Sequence, residues 1–122
     1  MAAWRLEIRS GPTVEHASHP TLEAALSELQ RRLEELEPLA RREPVKALSR
    51  TFDPVRQVAA RAEISGPGRL LPAVRGGVDL RGDGSSEAYT GRWRRALVEV
   101  KRGETPTQAL RRELLAKEAA RR

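Results

Sequence analysis

The sequence predicts an α+β fold, a single small domain in which an antiparallel sheet of about five strands carries two helices on one face, in the order ββαβββα. The chain has 122 residues, which is about one domain in length. Segments with the two-residue period of a strand alternate with segments that have the period of an amphipathic helix. Each predicted helix has one apolar stripe, and we expect one face of the sheet to bury both stripes.

The first two elements are predicted to form a β-hairpin. Apolar and charged residues alternate from Trp4 to Arg9, which is typical of a strand with one buried face. Gly11-Pro12 is a turn sequence, and residues 13–17 can return as the second strand.

The first helix is predicted to begin after Thr21, whose hydroxyl can accept a hydrogen bond from a free backbone N–H. Pro38 should end this helix, because its ring removes a donor and disfavours helical geometry at Glu37. Residues 1–37 are thus a hairpin and a helix, and residues 38–55 are a connection with a helical turn near residues 45–48. Leucines recur at helical spacing on one face of the helix: Leu22, Leu26, Leu29, Leu33 and Leu36.

Residues 56–122 are predicted to contain three strands and a C-terminal helix. Small and apolar residues alternate with polar ones over residues 58–65, and Gly66-Pro67-Gly68 closes this strand. Residues 77–81 and 86–100 flank Gly82-Asp83-Gly84, which is the composition of a tight hairpin.

The last predicted strand changes phase, because Tyr89 and Trp93 share one face whereas Ala96 and Val98 share the other. A β-bulge near Arg94-Arg95 would account for the change, since one extra residue turns every later side chain over.

The C-terminal helix begins with Thr105-Pro106, an N-cap followed by proline at the first helical position. Leu110 and Leu114 mark its buried face, so we expect them to share one core with the leucines of the first helix.

The composition excludes several classes of protein. The absence of cysteine excludes disulfides, zinc–thiolate sites and a cysteine nucleophile. Charged residues interrupt every apolar run, so we expect neither a signal peptide nor a membrane helix. We therefore expect a cytoplasmic protein. The chain has twenty Arg and three Lys, a bias that GC-rich bacterial genomes produce, and so a bacterial source is our interpretation.

The positive charge is concentrated in the C-terminal half. The net charge is +6; residues 1–61 carry ten basic and nine acidic side chains, and residues 62–122 carry thirteen and eight. The excess is therefore +1 in the first half and +5 in the second. This asymmetry favours a polyanionic partner, although an arginine-rich genome produces basic surfaces as well.

The sequence shows no catalytic residue, cofactor site or metal site. His16 and His19 are spaced like metal ligands, but only Glu15 is near enough to be a third ligand, and zinc takes three or four protein ligands. No serine lies in a nucleophile-elbow sequence. We therefore expect a protein that is not an enzyme and that binds no metal or cofactor.

Residues 102–114, Arg-Gly-Glu-Thr-Pro-Thr-Gln-Ala-Leu-Arg-Arg-Glu-Leu, resemble the middle of the Nudix hydrolase box. In that family a Gly-Glu-Thr-Pro turn precedes a helix bearing Arg-Glu-Leu, and Glu104, Arg112 and Glu113 fall at matching spacing. The next two family positions are glutamates that hold magnesium, but here they are Ala116 and Lys117. Without those carboxylates the segment has no charge to bind a hard cation, so a capped helix is expected without hydrolase chemistry.

The candidate binding residues lie between the last strand and the last helix. Arginine and lysine side chains there can neutralise phosphates, and aromatic rings on a sheet face can stack on bases. In the alternative interpretation, the two aromatic rings face the core and the arginines point to solvent. The predicted phosphate contacts are Arg92, Arg94, Arg95, Lys101 and Arg102, and the candidate stacking rings are Tyr89 and Trp93.

Two functions follow from the sequence. The first is a small, basic, non-enzymatic accessory protein that binds nucleic acid through its C-terminal half. The alternative is a protein partner or a homo-oligomer formed through the first helix, whose leucines have the spacing of about two heptads.

Overall fold

The computed structural model describes residues 3–42, 58–67, 74–91 and 94–121. These residues form an α+β fold with a single antiparallel sheet, as predicted, but the sheet has six strands, in the order β2-β1-β3-β4-β5-β6. The elements along the chain are β1 (Trp4–Ser10), β2 (Thr13–His19), α1 (Leu22–Arg42), β3 (Val58–Ser65), β4 (Arg75–Arg81), β5 (Ser86–Thr90), β6 (Ala96–Leu97) and α2 (Pro106–Arg121).

Both helices pack on the same face of the sheet, which confirms the predicted arrangement. Register places Leu6 of β1 beside Ile64 of β3, and Ala62 of β3 beside Val78 of β4. Burial of each large aliphatic side chain in this layer contributes about 1.5–3 kcal/mol. The five leucines that were expected to be buried together belong to one core: Leu26, Leu29, Leu33, Leu110 and Leu114.

The two helices begin at the predicted threonines. Thr21 Oγ1 accepts a hydrogen bond from Ala24 N at 3.1 Å. Thr105 Oγ1 accepts one from Gln108 N at 3.1 Å, and Gln108 Oε1 accepts one from Thr105 N at 2.8 Å. This reciprocal pair is a capping box, which satisfies two backbone donors that the helix itself leaves free.

The predicted end of α1 at Pro38 is wrong, since the helix continues to Arg42. Proline removes one hydrogen bond from the helix, but Leu36 and Ala40 on either side of it are buried in the core. This packing holds the helix past the proline, whose own side chain is exposed. Residues 38–42 of the predicted connection are therefore helical, and the helical turn predicted near residues 45–48 lies outside the described residues.

The last predicted strand is two strands and not one strand with a bulge. The chain reverses after β5, and β6 pairs antiparallel to it, with Tyr89 opposite Leu97 and Thr90 opposite Ala96. This pairing puts Tyr89 and Leu97 on one face of the sheet, so Ala96 lies on the other face without an extra residue. The other predicted hairpin is confirmed: β4 and β5 are joined by a turn in which Gly84 N donates to Arg81 O at 2.9 Å.

Two successive glycines in β4 allow both faces of the sheet to pack closely. A Cβ on Gly76 would lie 2.8 Å from Leu110 Cδ1, on the face that carries the helices. A Cβ on Gly77 would lie 2.5 Å from Ala62 O and 2.8 Å from Tyr89 Oη, on the opposite face. Gly76 therefore lets α2 approach the sheet, and Gly77 lets the side chain of Tyr89 cross β4.

We predict that Gly77→Ala lowers the free energy of unfolding by about 1–3 kcal/mol, the usual range for overpacking, because the methyl group meets backbone that cannot move aside. Urea denaturation measures this change. Gly11→Asn is the control, since a side chain there meets nothing within 4 Å and asparagine tolerates its positive φ. Equal stability of Gly77→Ala and the wild type would contradict the close packing of β3 and Tyr89 around Gly77.

Candidate polyanion-binding surface

The sheet face opposite the helices, called here the open face, carries ion pairs that join neighbouring strands. Arg61 of β3 donates two hydrogen bonds to Asp79 of β4, at 2.6 and 3.1 Å. Arg75 Nη1 of β4 donates to Glu63 Oε2 of β3 at 3.0 Å. These partners face one another because the strand period of two puts alternate residues on this face.

Tyr89 is the buried centre of the open face, with 2% of its surface exposed. Its hydroxyl donates to Glu63 Oε1 at 2.6 Å. The guanidinium carbons of Arg61 and Arg95 lie 5.5 and 4.9 Å from the centroid of its ring. Burial, followed by the bond to Glu63, raises the pKa of the phenol well above its ordinary value, so the hydroxyl stays a donor.

The ring of Tyr89 therefore lies neither beneath the helices nor free on the surface. Two positions for the ring were considered from the sequence, one facing the core and one exposed for stacking. In the structure the ring is buried on the open face, beneath arginine side chains. Arginine side chains cover it on the open face, so stacking on a base would require Arg95 to move.

We predict that Tyr89→Phe lowers the free energy of unfolding by about 1–3 kcal/mol, because Glu63, a mostly buried carboxylate, loses a hydrogen-bond donor. The ring and its contacts with arginine remain in this variant. Thermal or urea unfolding measures the loss. A smaller loss when Tyr89→Phe is made in a Glu63→Ala background, where no acceptor remains, would confirm the coupling. If Tyr89→Phe alone costs nothing, the hydroxyl bond is not a stabilising one.

Four cations flank β6 without an ion-pair partner among the described residues: Arg94, Arg95, Lys101 and Arg102. All four are exposed, and residues 94–102 are called here the basic segment. Among the other residues whose side chains the structure describes, Arg5 and Lys117 also lack an ion pair. The arginines that have a carboxylate within 4 Å are Arg9, Arg31, Arg32, Arg61, Arg75, Arg81, Arg111 and Arg112.

Hydrogen bonds hold the basic segment along the edge of the sheet. Beyond β6, Val98 N donates to Ala88 O of β5 at 2.9 Å. Arg112 Nη2 of α2 donates to Glu99 O at 2.8 Å. Extended chain rises about 3.3 Å per residue, so Arg95 and Lys101 are separated by up to about 20 Å. The segment therefore displays cations at both ends of one sheet edge.

Glu104 joins the basic segment to α2. Its carboxylate accepts hydrogen bonds from Arg112 Nε and Nη2 at 3.0 and 3.1 Å and from Lys101 N at 2.9 Å. The bond from Arg112, followed by that from the Lys101 backbone, lowers the pKa of Glu104 to about 2. In the part of the sequence that resembles the Nudix box, this glutamate therefore serves as a structural acceptor.

The depressed pKa predicts a dependence of stability on pH. The contribution of ionised Glu104 is complete above its ordinary pKa of 4.5 and is lost as the pH falls through about 2. Glu104→Gln should therefore flatten the fall in melting temperature between these two pH values. Melting curves of the variant and the wild type measure this, with Glu99→Gln as the control. Parallel curves for Glu104→Gln and the wild type would contradict the role of the pair.

The remaining predicted sites are placed as follows. Arg92 and Trp93 lie outside the described residues, so their roles as a phosphate contact and a stacking ring stay predictions. His16 and His19 lie on opposite faces of β2, where His16 is near Glu7 and His19 contacts Glu28, so the two rings cannot ligate one ion together. Within the described ranges, no group of three or more His, Asp or Glu side chains is arranged to hold a metal ion.

No protein-family model, curated protein or solved structure shows significant similarity to the chain. Neither helix among the described residues has the length and apolar content that crossing a membrane requires.

Proposed function

We propose that the protein is a non-enzymatic, nucleic-acid-binding protein that contacts backbone phosphates through the basic segment. The observation that carries this proposal is the exposed, unpaired state of Arg94, Arg95, Lys101 and Arg102, whereas eight other arginines of the described residues each have a carboxylate partner. Cations without counter-ions attract phosphates and release condensed salt ions when they bind. The cytoplasm is the compartment we propose for this activity.

The fixed position of the basic segment supports this function. A side chain loses less freedom on binding when its backbone is already held, and β5, Glu104 and Arg112 hold this segment. Arg95 and Lys101, separated by up to about 20 Å, can engage phosphates at two places along a strand. Phosphate contacts alone position a protein without reading bases, so we expect little sequence preference.

The alternative, a partner helix bound to the leucines of α1, receives less support. All five leucines of the stripe are buried against the protein's own sheet. A coiled-coil partner would need that same surface. Leu97 of β6, which is 69% exposed, is an apolar residue that a protein partner could contact. Val100 of the same segment is also exposed, at 41%, but cations flank both residues, and scattered exposed apolar residues are common.

The proposal is tested with fluorescently labelled single- and double-stranded DNA and RNA, whose anisotropy reports binding over a range of salt concentrations. We expect binding at low salt that weakens steeply as salt rises. Replacement of Arg94, Arg95, Lys101 and Arg102 together by glutamine should flatten the slope of log K against log salt by about 3–4 units on duplex DNA. Folding should change by no more than about 0.5 kcal/mol each at Arg94, Lys101 and Arg102. At Arg95 the loss of the contact with the Tyr89 ring should cost about 0.5–1 kcal/mol.

Lys117→Gln is the matched control, because Lys117 is an exposed cation of α2 that also lacks an ion pair among the described residues. It should leave the affinity and the salt slope nearly unchanged. If the wild-type protein binds none of the four nucleic acids at low salt, or if Lys117→Gln weakens binding as much as replacement of a cation in the basic segment, the proposed function is wrong.

A further inference from the structure

A line of cations and hydroxyls crosses the open face at one end of the sheet. Register places Ser18 of β2 opposite Arg5 of β1, Arg5 opposite Ser65 of β3, and Ser65 opposite Arg75 of β4. Gly91 N donates to Arg75 O at 2.9 Å, which extends the line by one residue past β5. These side chains share one face because they are direct cross-strand partners.

The line borders a cleft of about 450 Å³, whose polar lining includes Arg5, Ser18, Ser65 and Arg75. Neighbouring strands are about 4.8 Å apart, so the Cα atoms of Arg5 and Arg75 lie about 10 Å from one another across β3. Between them stands Ser65, whose side chain is short. Two long guanidinium side chains therefore flank a space that has a hydroxyl at its floor.

The acidic side chains of the cleft already have partners. Glu63 accepts hydrogen bonds from Arg75 and Tyr89, and Glu7 pairs with Arg9 at 3.3 Å. Arg5 has no ion pair among the described residues. Arg75 balances the charge of Glu63, and Arg9 balances that of Glu7 from outside the cleft lining. The charge of Arg5 is therefore left over, and it matches the charge of one phosphodiester or of the phosphate monoanion.

Arg75 also has donors to spare. A guanidinium has five N–H donors, and one nitrogen of Arg75, Nη1, bonds to Glu63. Its Nη2 has no hydrogen-bond partner within the described structure and can donate to a ligand, whereas its Nε is buried out of a ligand's reach. Arginine forks match the geometry of phosphate oxygens, and serine hydroxyls commonly complete such contacts.

We propose that this cleft binds a single phosphate group between Arg5 and Arg75, with the hydroxyls of Ser65 and Ser18 as further donors. The phosphate comes either from a free phosphate compound or from the backbone of a nucleic acid held at the basic segment. The second source rests on the proposed function. Arg95 links the two surfaces, because it lies beside Gly91 at the end of the same line, where a Cβ on Gly91 would be 3.7 Å from Arg95 Cα.

The experiment follows the backbone amide and arginine side-chain NMR signals of the full chain. One arm titrates inorganic phosphate at constant ionic strength, with chloride as the control anion. The other arm titrates a single-stranded oligonucleotide. We expect saturable shifts at Arg5, Ser18, Ser65 and Arg75. A response to inorganic phosphate identifies a free-phosphate site, and a response to the oligonucleotide alone identifies a backbone phosphate.

Two variants test the assignment. Arg5→Gln should weaken the response roughly tenfold to hundredfold, as expected for the loss of a hydrogen bond between charged groups. Ser18→Asp places a carboxylate opposite Arg5, cancels its charge, and should abolish the response. Arg5 and Ser18 are exposed, so both variants should fold, and their amide spectra verify this. Lys117→Gln should respond like the wild type.

The outcomes separate this site from the proposed function. The cleft site is overturned if the oligonucleotide binds through the basic segment without NMR shifts in the cleft and inorganic phosphate gives no response. The proposed function would still hold in that case. A saturable response to inorganic phosphate that Arg5→Gln weakens supports the cleft site even if no oligonucleotide binds. Shifts that Arg5→Gln and Ser18→Asp leave unchanged would also overturn it.

Discussion

The missing side chains of Gly76 and Gly77 determine how both faces of the sheet are packed. On one face, Leu110 of α2 fills the space above Gly76, so the second helix sits directly on β4. On the other face, Tyr89 crosses Gly77 to reach Glu63 on β3. Glycine in a strand interior often marks such a close approach. Because both glycines are in β4, this one pair of residues fixes both the position of α2 and the polar network of the open face.

The contact between Tyr89 and Glu63 in turn determines which cations are left over. Glu63 is occupied by the phenol and by Arg75, and Asp79 is occupied by Arg61. No acidic group of the central strands thus remains for Arg5 on one side or for Arg95 on the other. Surface pairs of this kind add little to stability individually. The ion pairs of Glu63 and Asp79 have a larger effect on the distribution of charge. They neutralise the middle of the open face, so the unpaired cations lie at its ends.

Local signals in the sequence predicted much of the fold, whereas the candidate sites depend on register. Thr21 and Thr105 cap helices through neighbours three residues away, so short windows of sequence revealed both helix starts. The helix continues past Pro38 because of core packing, which no local pattern contains. Tyr89 and Glu63 are 26 residues apart, and Arg5 and Arg75 are brought together across β3, so neither the covered ring nor the cleft was visible before the strands were paired.

The cations of the basic segment also have a simpler explanation, since charged residues at a sheet edge prevent pairing with other chains. The opposite edge strand, β2, tests this explanation. There the charge on β2 is paired, because Glu15 forms an ion pair with Arg32 of α1. Paired charges therefore protect an edge of this same sheet. At β6 the strand has two residues, which already limits edge pairing, and yet four cations remain without counter-ions there. Edge protection accounts for the presence of charged residues at β6. It does not account for the lack of ion-pair partners for these four cations, which is the property that an anionic ligand requires.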